Sequence, residues 1–375
     1  MSNFPLCYKL TWLPRLLRPS LAGKAGDFAP VSASLTPPPA RSVRLAFVGD
    51  ISAVANRAAP VVDPSISALL ASADLVVGTC ESPVVARPYA RFGTRIGTRH
   101  AMTETFLAEA LEAAGIQRKR LVLSLANNHA LDQGAEGFEE TRASLARLGI
   151  RFAGTTRDAP IVNVGPLRLG LSAFTMWRNT GASGFDGRVA MNPDLPLAES
   201  ADLVCALPHW DREFRHFPQA GTRALASRLT GQGAALIVGG HAHVVQPVER
   251  IGSAVVVYGL GDFLGTALPL QPWPLRLGAV LTAEVSVDAA TMGAVGAYRM
   301  HFFYRRPDGA REHLLPVEAL DGALRRTVLS RIEAVFGPGS AEAQLHADDG
   351  DDEQEGGGVG DDDRPGADQQ AVERP

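Results

Sequence analysis

Residues 233–249 read GAALIVGGHAHVVQPVE, a short apolar run that stops at two glycines and then presents two histidines one residue apart. An apolar run of this length, bounded by turn-forming residues, predicts a buried strand. The polar cluster after it would then lie at the strand's C-terminal end. The same arrangement recurs along the chain: RLAFVG (44–49) runs into Asp50, ADLVVG (73–78) into Thr79-Cys80-Glu81, LVLSLA (121–126) into Asn127-Asn128-His129, and the run 202–207 into His209. Further strand patterns stand at 167–173 and 254–258, and two long ones between 278 and 304. Helical patterns fill the gaps at 103–114, 135–148 and 218–230, with Gly149 and Gly231 placed as helix-ending glycines, and a last helix is expected at 321–336. The alternation predicts a layered α/β domain with largely central strands. Ligands bind beyond the C-terminal ends of strands in open α/β sheets, so five polar clusters can converge in one crevice.

Composition bounds what that crevice serves. With 375 residues and 46% apolar content the chain can bury a substantial core. A formal net charge of -4 gives no overall basic field, so nucleic acid is not an expected partner. Cys7, Cys80 and Cys205 are far apart and form no C-x-x-C pair, which argues against a disulfide framework or a thiolate metal site. Any metal must be held by nitrogen and oxygen. Residues 1–42, rich in Pro, Ser and Ala and ending near Pro37-Pro38-Pro39, read as a disordered or extended leader. Lys9, Pro14, Arg15, Arg18 and Pro19 break its apolar runs before they reach signal-peptide length. No stretch approaches the roughly 18 apolar residues of a membrane span. The expectation is a cytoplasmic protein with no transmembrane segment, peripheral to a membrane at most. Residues 43–340 form the folded domain, and 341–375, dense in Asp, Glu and Gly, read as a disordered acidic tail.

Each polar cluster has an ordinary alternative when taken alone. Asp50 after a strand is usually a turn or helix cap, and a lone histidine such as His129 is more often a satisfied structural residue than a ligand. His241 and His243 differ, because the Gly239-Gly240 pair lets the backbone approach closely and two histidines so spaced can reach neighbouring ions. Four of the nine histidines fall at strand ends, and this coincidence carries the joint reading. Asp, Glu, Asn and His without Cys suit Mn, Fe or Zn. Two such ions about 3.5–4 Å apart can polarise a phosphoryl or acyl oxygen and supply hydroxide near neutral pH.

The ordered set GDIS (49–52), ADLVVGTCESPV (73–84), SLANNHALDQG (124–134), LPHWDREF (207–214), GAALIVGGHAHVVQPVE (233–249) and VVVYGLGDF (255–263) resembles the successive motifs of the CapA family of capsule and poly-gamma-glutamate biosynthesis proteins. That family is similar to the calcineurin-like metallophosphatases, so the resemblance implies a four-layer αββα sandwich of two β-sheets flanked by helices. It also implies metal binding at Asp50, Glu81, Asn128, His209, His241 and His243, and a catalytic acid at His129. Asp132 matches a position that could orient His129 or brace the loop, its alternative being a cap for the helix starting near Gly134. The chain departs from the family pattern at Thr79, Asp211, Ala242 and Asp262, where Asn, Gly, Pro and Asn are usual. What the resemblance implies is a dinuclear metal-dependent hydrolase of the phosphoesterase type. Its substrate would be an anionic polymer or a small phosphoester or amide, and its partners the subunits of an exopolymer-synthesis complex. The alternative is a non-catalytic accessory subunit that keeps the fold. Arg91, Arg95 and Arg99 are candidates for a phosphate clamp only by their number.

Overall fold

The computed structural model describes residues 1–342 apart from 55, 57, 96–97, 157–159, 193–194, 196–199 and 266–270. Its two sheets are built from the strands read above. The larger sheet runs, in spatial order, Val61–Val62, Arg311–Pro316, Val295–Asp308, Leu277–Ser286, Ser42–Ile51, Leu75–Cys80, Leu121–Ser124 and Arg151–Ala153. Its motif-bearing half is parallel and its other half largely antiparallel. The smaller sheet runs Val248–Ile251, Ala254–Val257, Leu236–Val238, Leu203–His209, Leu167–Thr175 and Ile161–Val164, parallel at its centre.

A strand buried on both faces must be apolar at every position, and its successive side chains must then enter different cores. The smaller sheet divides in this way. Cys205, Leu207, Leu236, Val238, Val255 and Val257 belong to the large core, which also holds Leu45 and Phe47 of the other sheet. The intervening Ala206, Ile237 and Val256 pack instead with Leu225, Ala226 and Leu229 of the Ala220–Gly231 helix. The helices Pro64–Ala71, Glu104–Ala113 and Gly134–Arg147 place Ile66, Leu70, Phe106, Leu107, Phe138 and Leu145 in the large core. The result is the layered α/β sandwich expected from the motifs. Gly149 ends its helix at φ +72, as anticipated, whereas Gly231 is the last helical residue and the left-handed turn falls on Gly233, φ +105.

The leader departs from expectation. Residues 1–42 are neither disordered nor simply extended: Leu6–Leu10 and Trp12–Leu17 are short helices, and Ser32–Ser34 adds to the edge of Val295–Asp308. The physical reason is an aromatic stripe at helical spacing, Phe4, Tyr8 and Trp12, which finds partners in Trp177, His241 and Phe214. Tyr8 is buried, while Leu6, Leu10, Leu13 and Leu17 point outward. Of the acidic tail, Ala341 is buried and residues 343–375 lie outside the described residues.

Candidate metal centre

All eight residues singled out in the sequence meet at the strand ends where the two sheets face one another. Asp50 is the penultimate residue of the strand Ser42–Ile51, Glu81 directly follows Leu75–Cys80, and His209 ends Leu203–His209. Asn128, His129 and Asp132 occupy the loop after Leu121–Ser124, and His241 and His243 the loop after Leu236–Val238. Gly240 is required here: a Cβ on it would lie 2.7 Å from Asp50 Oδ1 and 3.2 Å from His209 Nδ1. The non-glycine residues with positive φ among the described residues are Asp211, Phe214, His241 and His243, all in the two loops that line this centre. Such backbone costs on the order of 1–3 kcal/mol per residue and persists where surrounding contacts over-determine it.

The polar bookkeeping is incomplete in one place only within this cluster, its middle. Asp50 Oδ2 accepts the His241 N–H at 2.9 Å, and Asn128 Oδ1 lies 2.9 Å from His209 Nε2. Yet Asp50 Oδ1, both oxygens of Glu81, His209 Nδ1 and His241 Nδ1 are buried without a hydrogen-bond partner. Glu81 Oε1 is 3.4 Å from His209 Nε2 and 3.6 Å from His243 Nε2. Ligand atoms of Glu81, His209 and His241 lie within 4.8 Å of one another, as do those of Asp50, Glu81, His243 and Asp262. Orphaned buried donors and acceptors cost about 1–3 kcal/mol each, and this donor set of carboxylate, amide and imidazole matches a divalent cation.

Electrostatics divide the histidines into two pairs. Burial, reinforced by neighbouring imidazoles, pushes His241 well below the usual range, and burial takes His209 down to about 4. For His243 burial works in the same direction, but Glu81 and Asp262 outweigh it and raise the imidazole well above its ordinary value. For His129 burial is likewise outweighed, here by Asp132. Burial and then the Glu81 charge raise Asp50 to about 6, and burial raises Glu81.

Asp132 bonds to His129 and does not cap the following helix. Its Oδ2 lies 2.6 Å from His129 Nδ1 and accepts the His100 N–H at 2.8 Å, while the cap residue of the following helix is Gln133. Arg99 reaches Asp132 Oδ1 at 3.2 Å, and Arg91 and Arg95 sit on a separate short helix. His100 stacks on His129, rings 3.6 Å apart and 3° from parallel. Asn179 Nδ2 donates to Asp132 Oδ1 at 3.3 Å, and its Oδ1 accepts from Asn128 Nδ2 at 3.2 Å.

Sequence reasoning passed over four contributors. His100 and Asn179 lie in segments with no strand-end pattern. Glu213 was visible four residues after His209 in LPHWDREF, and the left-handed residues Asp211 and Phe214 fold that segment back so that Glu213 Oε1 stands 3.8 Å from His243 Nε2. Tyr8 comes from the leader, its hydroxyl 2.9 Å from His241 Nε2. Two departures from the family pattern also acquire roles. Asp262 Oδ1 holds His243 Nδ1 at 2.6 Å, while Oδ2 accepts from the buried Arg305 at 3.1 Å. Asp211 accepts from Gln219 N–H, Gln219 Nε2 and Arg212 N–H, bracing the approach to the Ala220–Gly231 helix and offering no ligand.

Comparison with known proteins gives the family of the chain. Residues 44–267, more than half of the chain, match the family described as bacterial capsule synthesis protein PGA_cap. The chain is 29% identical over 218 residues to the capsule biosynthesis protein CapA of Bacillus anthracis, covering 53% of this chain and 52% of that protein. It is 26% identical over 242 residues to the PGA biosynthesis protein CapA of Bacillus subtilis, covering 58% and 62%. It thus spans about half to three-fifths of the length of these curated relatives. Among solved structures it is similar to the calcineurin-like phosphoesterase YfkN from Bacillus subtilis, at 14% identity and TM-score 0.41 over 81% of this chain and 99% of that one. No helix among the described residues is long and apolar enough to cross a membrane. The chain therefore belongs to the bacterial capsule synthesis protein PGA_cap family.

Proposed function

We propose that the strand-end centre holds two divalent ions and hydrolyses a phosphoester or amide bond in the making or processing of an anionic exopolymer of the poly-gamma-glutamate kind. The observation that carries this is the set of five orphaned, buried polar atoms on Asp50, Glu81, His209 and His241, residues whose ligand atoms fall into two clusters that share Glu81. Asp50, Glu81, Asn128, His209, His241 and His243 would hold the ions, with Asp262 orienting His243. When bound, such ions supply Lewis-acid polarisation of the scissile group and lower the pKa of the attacking water. A cation among Asp50, Glu81 and Asp262 would also offset the mutual repulsion of carboxylates in a buried site.

The protein's own groups supply the remaining chemistry. His129 and His243 keep some side-chain exposure, 14% and 12%, whereas Glu81 is sealed, so a substrate would reach the centre past these two imidazoles. Asp132 binds His129 Nδ1 and raises the imidazole, which favours its protonated form and leaves Nε2 to donate to a leaving group. His100, held well below its ordinary value by burial, packs against that ring as a neutral surface.

Elemental analysis with Mn, Fe and Zn titration, joined to a chromogenic phosphodiester and glutamyl-peptide screen, tests the reading. His129→Ala should retain the ions and lose turnover by roughly 10²–10⁴-fold, whereas His241→Ala should lose an ion. Protein that neither carries nor takes up a divalent metal would overturn it. The second reading, a non-catalytic accessory subunit, is favoured by the seating of Tyr8 directly on His241; a His129→Ala strain with unimpaired polymer production would support it.

A further inference from the structure

Resting on that metal-centre reading, we infer that Tyr8, brought in by the leader, is a positioning residue: its hydroxyl fixes His241 as the Nε2–H tautomer and so reserves Nδ1 for the ion. The argument is one of proton counting. The Tyr8 oxygen has one proton and two lone pairs. Around it stand Glu213 Oε2 at 3.0 Å, the Glu213 N–H at 3.1 Å and His241 Nε2 at 2.9 Å. The backbone N–H can only donate, so it takes one lone pair. The carboxylate can only accept, so it takes the proton. What remains for His241 is the second lone pair, and Nε2 must therefore carry hydrogen.

The reverse assignment fails on the same count. If the hydroxyl donated to His241 Nε2, its oxygen would face Glu213 Oε2 at 3.0 Å with no proton between them. Glu213 Oε2 is further committed as an acceptor by Trp12 Nε1–H, also from the leader. Tyr8 cannot swing away from this arrangement cheaply. It is buried, its ring lies 4.7 Å from Phe4 and 5.2 Å from Trp177, and the Arg15 guanidinium covers it at 5.0 Å. With Nε2–H so engaged, the only remaining ring nitrogen is Nδ1, which is buried and lacks any partner. His241 in turn shares a cluster with Glu81 and His209. A partner that fixes the tautomer of a ligating histidine is commonly worth 10–100-fold in metal affinity. The leader is thereby part of the centre although it lies before the segment that matches the family.

The test uses the full chain with ¹⁵N-labelled histidine, His241→Gln serving to assign the His241 signals. In metal-free wild type the His241 imidazole should show one tautomer, Nε2 protonated and Nδ1 bare. Tyr8→Phe keeps the ring contacts and removes the hydroxyl; it should lose that single tautomer and weaken one of the two Mn²⁺ sites by roughly 10- to 100-fold in calorimetric titration. Leu6→Ser, at an exposed position on the outer face of the leader, leaves Tyr8 and its hydroxyl in place and should change neither readout. If wild type binds Mn²⁺ and Tyr8→Phe matches it in both tautomer and affinity, or if Leu6→Ser reproduces the Tyr8→Phe defect, the inference falls while the metal centre stands. If wild type takes up no divalent ion, the metal-centre reading falls and the inference with it.

Discussion

Replacing Asp132 by Asn isolates the charge of the pair that holds His129. The side chain keeps its shape and an oxygen for the His100 N–H, now at 2.8 Å, but loses the negative charge 2.6 Å from His129 Nδ1. Burial opposes ionisation of Asp132, yet the His129 charge and hydrogen bond prevail, and the carboxyl is pulled down to about 2. Against an ordinary aspartate near 3.9, at about 1.4 kcal/mol per tenfold, the difference is roughly 2–3 kcal/mol of folding stability. Its pH window follows from the two directions. The folded pKa of Asp132 lies below the unfolded one, so its contribution is full above about pH 4 and lost as pH falls toward 2. The folded pKa of His129 is raised, so its share is full below about pH 6.5 and lost as pH rises through the folded value. Asp132→Asn should therefore be destabilised most near pH 5–6, and less at pH 9. Urea denaturation of chelator-treated protein at these pH values measures the difference, and NMR titration of His129 should find its pKa lowered in the variant. A stability loss under about 0.5 kcal/mol at pH 6, or an unmoved His129 titration, would refute the assignment of Asp132 as the group that raises His129.

Three further outcomes are expected. Gly240→Ala should fold but bind divalent metal at least about tenfold more weakly, because the new Cβ would lie 2.7 Å from Asp50 Oδ1; metal titration at wild-type affinity would contradict the packing. Arg305→Met should cost about 3–5 kcal/mol in urea denaturation, since it strands the carboxylates of Asp262 and Glu312, now 3.1 and 2.7 Å from the guanidinium. Burial lowers His216 to about 3 and His301 to about 4, so the stability their neutral forms confer is full above about pH 6.5 and lost as pH falls toward those values. His301→Gln should accordingly flatten the decline in stability between pH 6.5 and 4, and a parallel decline in variant and wild type would count against it.

The parallel core was legible because fully buried strands must be almost wholly apolar, and the chain writes five such runs with polar clusters at their ends. The candidate ligand set was legible for a related reason: each member lies at or just beyond the end of a strand, so local pattern alone places it at the rim. The leader was not. Its Pro, Ser and Ala content dominates any local reading, while the contacts that order it, Phe4 on Trp177, Tyr8 on His241 and Trp12 on Glu213, join residues 173 to 233 positions apart. An aromatic at every fourth position is a helix signal, but a stripe becomes a docked helix only when a complementary surface exists, and that surface is tertiary.

The departures from the family pattern make the same point with charge. Asp262 standing in place of Asn adds a negative charge beside Asp50 and Glu81, which in isolation would weaken a buried site. The compensation is Arg305, 43 residues later and fully buried, which binds Asp262 Oδ2 and passes the charge balance to Glu312. Only the antiparallel register that sets Val295–Asp308 beside Leu277–Ser286 and Arg311–Pro316 brings these groups together. Once they are together, Asp262 orients His243 through a charged hydrogen bond where an amide would offer a neutral one, and such bonds are roughly twice as strong. The substitution that looked like erosion of the motif thus comes with its counter-charge, and a chain that retains Arg305, Glu312 and Asp262 as a buried set holds His243 more firmly than the usual residue would.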